Sequence, residues 1–70
     1  MSESKKIREL LGLLEGYFGS KKTVRVWMDT YNPLLGMIKP KILIENGRVE
    51  KVLRFVKTCL SENESPGGTI

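Results

Sequence analysis

Apolar residues recur at helical spacing in two stretches of this chain, one near each end, and turn-forming residues break up the region between them. Ile7, Leu10, Leu11, Leu14 and Phe18 fall on one face, Leu13 and Tyr17 widen it, and Lys5, Lys6, Arg8, Glu9 and Glu15 take the remainder. That recurrence predicts an amphipathic helix from Lys5, with Ser4 as its cap and Met1–Ser4 as a frayed leader. The second stripe is the clearest in the chain. Val49, Val52, Leu53, Val56 and Leu60 recur at i, i+3, i+4, i+7 and i+11, while Glu50, Lys51, Arg54 and Lys57 stay polar. Phe55 and Cys59 extend one edge of it.

The middle of the chain is less decisive. Thr23-Val24-Arg25-Val26-Trp27-Met28 alternates and is rich in β-branched residues, as a strand would be, yet Val24, Trp27 and Met28 also form an i, i+3, i+4 triplet. A lone strand leaves its backbone groups unpaired and no second clear strand is on offer, so the segment reads as helix. Ile42-Leu43-Ile44 poses the same question, and Asn46-Gly47 would close a hairpin if residues 38–44 and 49–56 were both strands. The helical period after Gly47 decides against the hairpin. Ser61–Ile70 carries no period and has the composition of a mobile tail. The predicted architecture is all-α, a small bundle of about four helices over residues 1–60 with a flexible C-terminal tail over 61–70.

Stop and start signals concentrate between Trp27 and Pro40, a run that holds the only Trp and two of the three prolines. Pro33 holds its own φ at about −65° and pushes Asn32 out of the α region. An Asn before a helical Pro also caps, its side-chain oxygen taking an orphan N–H of the next turn. Gly36 permits the left-handed residue that ends a short turn, and Pro40 suits the first position of a new helix. Gly19-Ser20 stops one helix and caps the next in the same way. Gly12 and Gly16 each cost about 1 kcal/mol against Ala. Their spacing suits close approach of another helix, and a groove within the monomer is favoured over a dimer seam. The predicted core is Leu10, Leu11, Leu14, Phe18, Val24, Trp27, Leu35, Leu43, Val52, Leu53 and Val56. Trp27 reads as a core residue rather than as a base-stacking platform with Tyr31.

The same central run carries a family resemblance. Trp27-x-x-Thr30-x-Asn32-Pro33-x-Leu35-Gly36-x-x-x-Pro40-x-x-Leu43, followed by Gly47-Arg48 and Val52-Leu53, resembles the C-terminal domain of the Xre/MbcA/ParS type antitoxins. Leu14, Tyr17, Phe18, Gly19 and Val24 fall where that domain has its leucine-rich first helix and the start of its second, so the resemblance spans residues 7 to 58. Trp27, Thr30, Asn32, Pro33, Gly36 and Pro40 are its structural motif. Two departures stand out. Met37 occupies the place of a second glycine, and Lys39 that of a Thr before Pro40, which removes an expected N-cap. The resemblance implies an all-helical domain that binds and neutralises a toxin of the RES type, an NAD-acting enzyme class, and that self-associates. The N-terminal DNA-binding part common in the family has no counterpart here.

Length and composition bound the rest. Seventy residues make one domain. A domain of that size buries about 60% of its unfolded surface and gains much from dimerisation or a partner. One cysteine, Cys59, and no histidine leave no disulfide and no metal cluster to expect, in keeping with a reducing cytoplasm. No secretion signal and no apolar run near the ~20 residues of a membrane span are visible. The absence of His, an edge position for Cys59 and the lack of a phosphate-cradling glycine loop argue against an enzyme, and no cofactor is expected. The net charge of +4 suits an acidic partner or weak, salt-sensitive nucleic-acid contact. Lys21, Lys22, Arg25, Lys39 and Lys41 face the single acid Asp29 in their stretch, and Arg48, Lys51, Arg54 and Lys57 follow.

Three readings result. The first is a protein-interaction module that neutralises a RES-type toxin by steric occlusion, with Arg48 and Lys51 on one face and the tail residues Gly67, Gly68 and Ile70 contacting the partner. Removing residues 63–70 is then expected to leave folding intact and weaken neutralisation. The alternatives are a stand-alone dimerisation module and a small basic nucleic-acid-binding protein.

Overall fold

Four helices follow one another in the computed structural model, which describes residues 2–64 and 66, with side chains from residue 4 onward. They are α1 (Ser2–Phe18), α2 (Lys21–Met28), α3 (Pro40–Glu45) and α4 (Val49–Ser61), with a 3-10 turn at Pro33–Leu35 between α2 and α3. Among the described residues there is no strand, and a lone β-bridge joins Asn32 to Ile38 inside the connector. The all-α expectation holds, and both ambiguous segments are helical. α1 starts earlier than expected, so Ser4 lies inside the first turn rather than capping it. With no Pro or Gly before Ile7, nothing stops a formed helix from propagating backward.

Each boundary has a local chemical cause. Gly19 adopts φ +75° and ends α1, its N–H donating to Glu15 O at 2.7 Å. Ser20 is extended, and its Oγ accepts from Thr23 N at 3.2 Å to cap α2. At the other end of α2 the Thr30 hydroxyl donates to Val26 O at 2.6 Å, a last-turn carbonyl that also accepts from Asp29 N at 3.1 Å. α3 begins at Pro40 behind Lys39, whose side chain makes no capping bond. It ends in a Schellman motif, with Gly47 at φ +77°, Arg48 N donating to Leu43 O at 2.8 Å and Gly47 N to Ile44 O at 3.1 Å. α4 repeats that ending with Asn63 at φ +59° and Glu64 N donating to Cys59 O at 2.7 Å.

The core forms where α1 packs on α4, with α2 against α1 and α3 against α4. Leu10 and Leu14 of α1 meet Val49, Val52, Leu53 and Val56 of α4, and Val24, Trp27, Leu35 and Leu43 complete the cluster. Full burial of such a side chain contributes about 1.5–3 kcal/mol before chain entropy is charged against it. Leu11 and Phe18, expected in the core, are half-buried at its margin, where Phe18 meets Tyr17 edge-on at 4.9 Å between centroids. Val49 and Cys59 are buried in their place. The glycine reading needs correction. Among the described residues a Cβ on Gly12 or Gly16 would meet nothing within 4 Å, so none of the described elements uses their spacing for close approach. Both face outward because the stripe of Leu10 and Leu14 already fills the contact with α4.

Ser61 belongs to α4, and within the segment read as a mobile tail Pro66 is fully buried. A chain lacking residues 63–70 would therefore lose the left-handed stop of α4 and one buried side chain. Among the described residues, no helix is long and apolar enough to cross a membrane.

Candidate interaction surface

The connector between α2 and α3 is built around Asn32. Asn32 N donates to Ile38 O at 3.1 Å, its own carbonyl accepts from Leu35 N at 3.0 Å and Met37 N at 2.9 Å, and its Oδ1 accepts from Leu34 N at 2.9 Å. Pro33 opens the turn and Gly36 closes it at φ +88°, the left-handed position expected of it. Trp27 lies beneath, 4% exposed, with its indole N–H buried and without an acceptor among the described residues. The six motif residues thus act as one scaffold: Thr30 finishes α2, Asn32, Pro33 and Gly36 shape the turn, Pro40 opens α3 and Trp27 anchors the whole to the core.

What that scaffold holds outward is apolar. Tyr31, Leu34 and Met37 are 60%, 53% and 61% exposed, and Ile38 and Ile42 add to the same run. Met37 sits at φ +61°, a left-handed conformation disfavoured by about 1–2 kcal/mol for a residue with a Cβ. This is the position where the resemblance expects glycine. A strained backbone bearing a large solvent-facing apolar side chain marks the connector as the part of the surface least explained by folding. The sequence reading passed over Leu34 and Met37, since neither lies on a helical stripe and Leu34 is next to the buried Leu35.

Charge is arranged around this surface in two ways. Asp29 is shared by Lys39 at 3.3 Å and Lys41 at 2.9 Å, and Lys39 Nζ also stands 5.1 Å from the Tyr31 ring centroid. Bonds from Lys41 and then Lys39 hold the Asp29 carboxyl below its ordinary range, and Asp29 in turn raises Lys41. On the far side, Lys6 pairs with Glu50 at 2.6 Å and Lys57 with Glu9 at 2.8 Å, tying α1 to α4. Lys6, followed by Arg54, depresses the Glu50 carboxyl. By contrast Lys21, Lys22, Arg25, Arg48 and Lys51 are exposed and form no ion pair among the described residues.

Arg48 stands at the N-cap of α4 and Lys51 in its first turn, with Lys51 N donating to Arg48 O at 3.1 Å. Lys51 lines a shallow open depression with Glu50, Arg54, Phe55 and Thr58. The other expected contacts, Gly67, Gly68 and Ile70, lie outside the described residues. Cys59 is buried, and burial followed by the nearby Glu64 and Glu62 pushes its thiol above the ordinary value. Comparison with protein-family models, with curated proteins and with solved structures returns no match.

Proposed function

We propose that this chain is a protein-interaction module that binds and neutralises a toxin of the RES type by steric occlusion and associates with itself. The observation that carries the reading is Met37, an exposed apolar side chain kept at a left-handed backbone position where glycine would be less strained. Tyr31 and Leu34 extend the surface it belongs to, and the run from Trp27 to Pro40 that resembles the antitoxin domain is the run that presents it. Arg48, Lys51 and the residues Gly67, Gly68 and Ile70 are proposed as further contacts. Binding is preferred over catalysis because the sequence has no histidine and its one thiol is buried and kept protonated.

The test is Met37→Gly in the whole chain, assayed for capture of a RES-type enzyme encoded beside it. Relief of the left-handed Met, less the added freedom of the unfolded chain, predicts a gain of about 0.5–1 kcal/mol in stability. Capture is expected to weaken about tenfold as a central apolar contact is lost. A variant that is more stable and binds unchanged would remove the connector from the interface. The second reading rests on Lys21, Lys22 and Arg25, which are exposed and form no ion pair among the described residues. Duplex-DNA affinity that falls steeply with salt and vanishes when these three are neutralised would favour it. A stand-alone homodimer with no other partner would favour the dimerisation module.

A further inference from the structure

Asn32 is the buried polar side chain of the described core, 3% exposed, and four of its hydrogen bonds stay within the connector. The fifth does not. Its Nδ2 donates to Pro66 O at 2.8 Å, across 34 residues of chain. We propose that Asn32 is a latch that seats Pro66 against the connector and thereby fixes the point from which the C-terminal residues begin.

The residue type at 32 is what the two tasks together require. Any of Asp, Asn, Ser or Thr supplies a side-chain oxygen to cap the 3-10 turn through Leu34 N. Ionised Asp has no donor for the buried carbonyl, and Ser or Thr would have to accept and donate through one short hydroxyl, whereas Asn accepts at Oδ1 and donates from Nδ2. The residue type at 66 fits as well. Proline brings no backbone N–H into the interior, so its carbonyl is the single polar group that burial leaves to be paired. The approach is prepared by α4, whose left-handed Asn63 and Glu64 N–Cys59 O bond turn the chain back toward the domain. Three features therefore converge: a left-handed stop and a buried ring without a donor close together near the C-terminus, and, far from both in sequence, a capping residue with an amide to spare.

For the partner reading, on which this role as a positioning residue rests, the consequence is preorganisation. A segment that starts from a fixed anchor loses less freedom on binding than one that swings from the end of α4. The latch also places that anchor beside the connector that exposes Tyr31, Leu34 and Met37, so one partner surface reaches both.

Asn32→Asp separates the two tasks, because it keeps the capping oxygen and replaces the amide donor with a second oxygen facing the Pro66 carbonyl. The readouts are nuclear magnetic resonance measurements on the uncomplexed full chain: hydrogen exchange of the Asn32 side-chain amide, and backbone order at Glu62, Asn63 and Glu64. In the wild type the Asn32 amide is expected to exchange at least about tenfold more slowly than that of the exposed Asn46. In Asn32→Asp, Glu64 is expected to become as mobile as a free terminus while α1 and α4 keep their order. A chain ending at Glu64 serves as the second variant should the new carboxylate unfold the domain. It is expected to lose the Asn32 amide protection, and adding Asn32→Asp to it should leave the order of Glu62 unchanged. Equal exchange of Asn32 and Asn46 amides, or a Glu64 that stays ordered in Asn32→Asp, overturns the latch. The partner reading fails separately, if the wild-type chain captures no RES-type enzyme, and the share of residues 67–70 in it fails if removing them leaves capture unaffected.

Discussion

Replacing Trp27 with Ala tests whether the connector is anchored through the core or merely sits upon it. Trp27 is 4% exposed and packs with Val24, Leu35 and the α1–α4 contact, so its loss leaves a cavity as well as a transfer cost. Large aromatic-to-Ala changes of this kind cost about 3–5 kcal/mol. The buried indole N–H has no acceptor among the described residues, a penalty of about 1–3 kcal/mol that the Ala variant no longer carries. That places the expected loss near the lower bound, about 3 kcal/mol. A 70-residue domain at ~0.05–0.15 kcal/mol per residue has only about 4–10 kcal/mol in total. With a urea dependence of ~1 kcal/mol per molar for a domain this small, the midpoint should fall by ~3 M. Circular dichroism is the appropriate signal, since the substitution removes the only Trp. Trp27→Phe is the control: it retains a ring and removes the orphan N–H, so it should cost well under half as much. A Trp27→Ala midpoint within ~0.5 M of the wild type would refute the burial argument and return the indole to the list of surface contacts.

Other consequences are open to direct measurement. Gly12→Ala and Gly16→Ala fill open space on a helix, so each should stabilise by about 0.5–1 kcal/mol and raise the melting temperature by ~3–6 °C. A fall in melting temperature instead would mean that this face is packed against something in solution. The carboxyls of Asp29 and Glu50 are both held below their ordinary values, so their contribution is complete above pH ~4.5 and is lost as pH falls through the depressed values. Both are exposed, so the acid-induced loss should be small and should shrink at high salt. Thermal melts of Asp29→Asn between neutral and acid pH should show less of that loss than the wild type, and an identical pH profile would discard Asp29 as a contributor. Cys59, buried with a raised pKa, should resist a thiol reagent until urea unfolds the domain. Prompt labelling of the folded chain would contradict its placement.

What the sequence made legible follows from which interactions are local. The stripes of α1 and α4 are periodic over several turns, and Ser20, Asn32, Pro33, Gly36 and Gly47 act on neighbours a few residues away, so their roles could be read directly. α2 was legible only by elimination, because Thr23–Met28 has strand-like residues and tertiary packing of Val24 and Trp27 overrides that propensity. Contacts across the chain were not legible. Nothing near Pro66 signals its burial, since the donor that satisfies it is 34 residues away. The pairing of Asp29 with Lys39 and Lys41 depends on the turn that folds α3 back toward α2. Leu11 and Phe18 lie on the predicted stripe, but the contact with α4 is narrower than that stripe, which leaves them at its edge. The strain at Met37 belongs to the backbone and could be suspected only from the missing glycine.

The central claim, that this chain neutralises a toxin by binding it, is tested most directly by co-expression with a RES-type enzyme encoded beside it, scored by growth and by co-purification. The account predicts restored growth and a stable complex, with both lost together when Met37, Arg48 and Lys51 are substituted. A folded chain that neither restores growth nor co-purifies with the enzyme would contradict it.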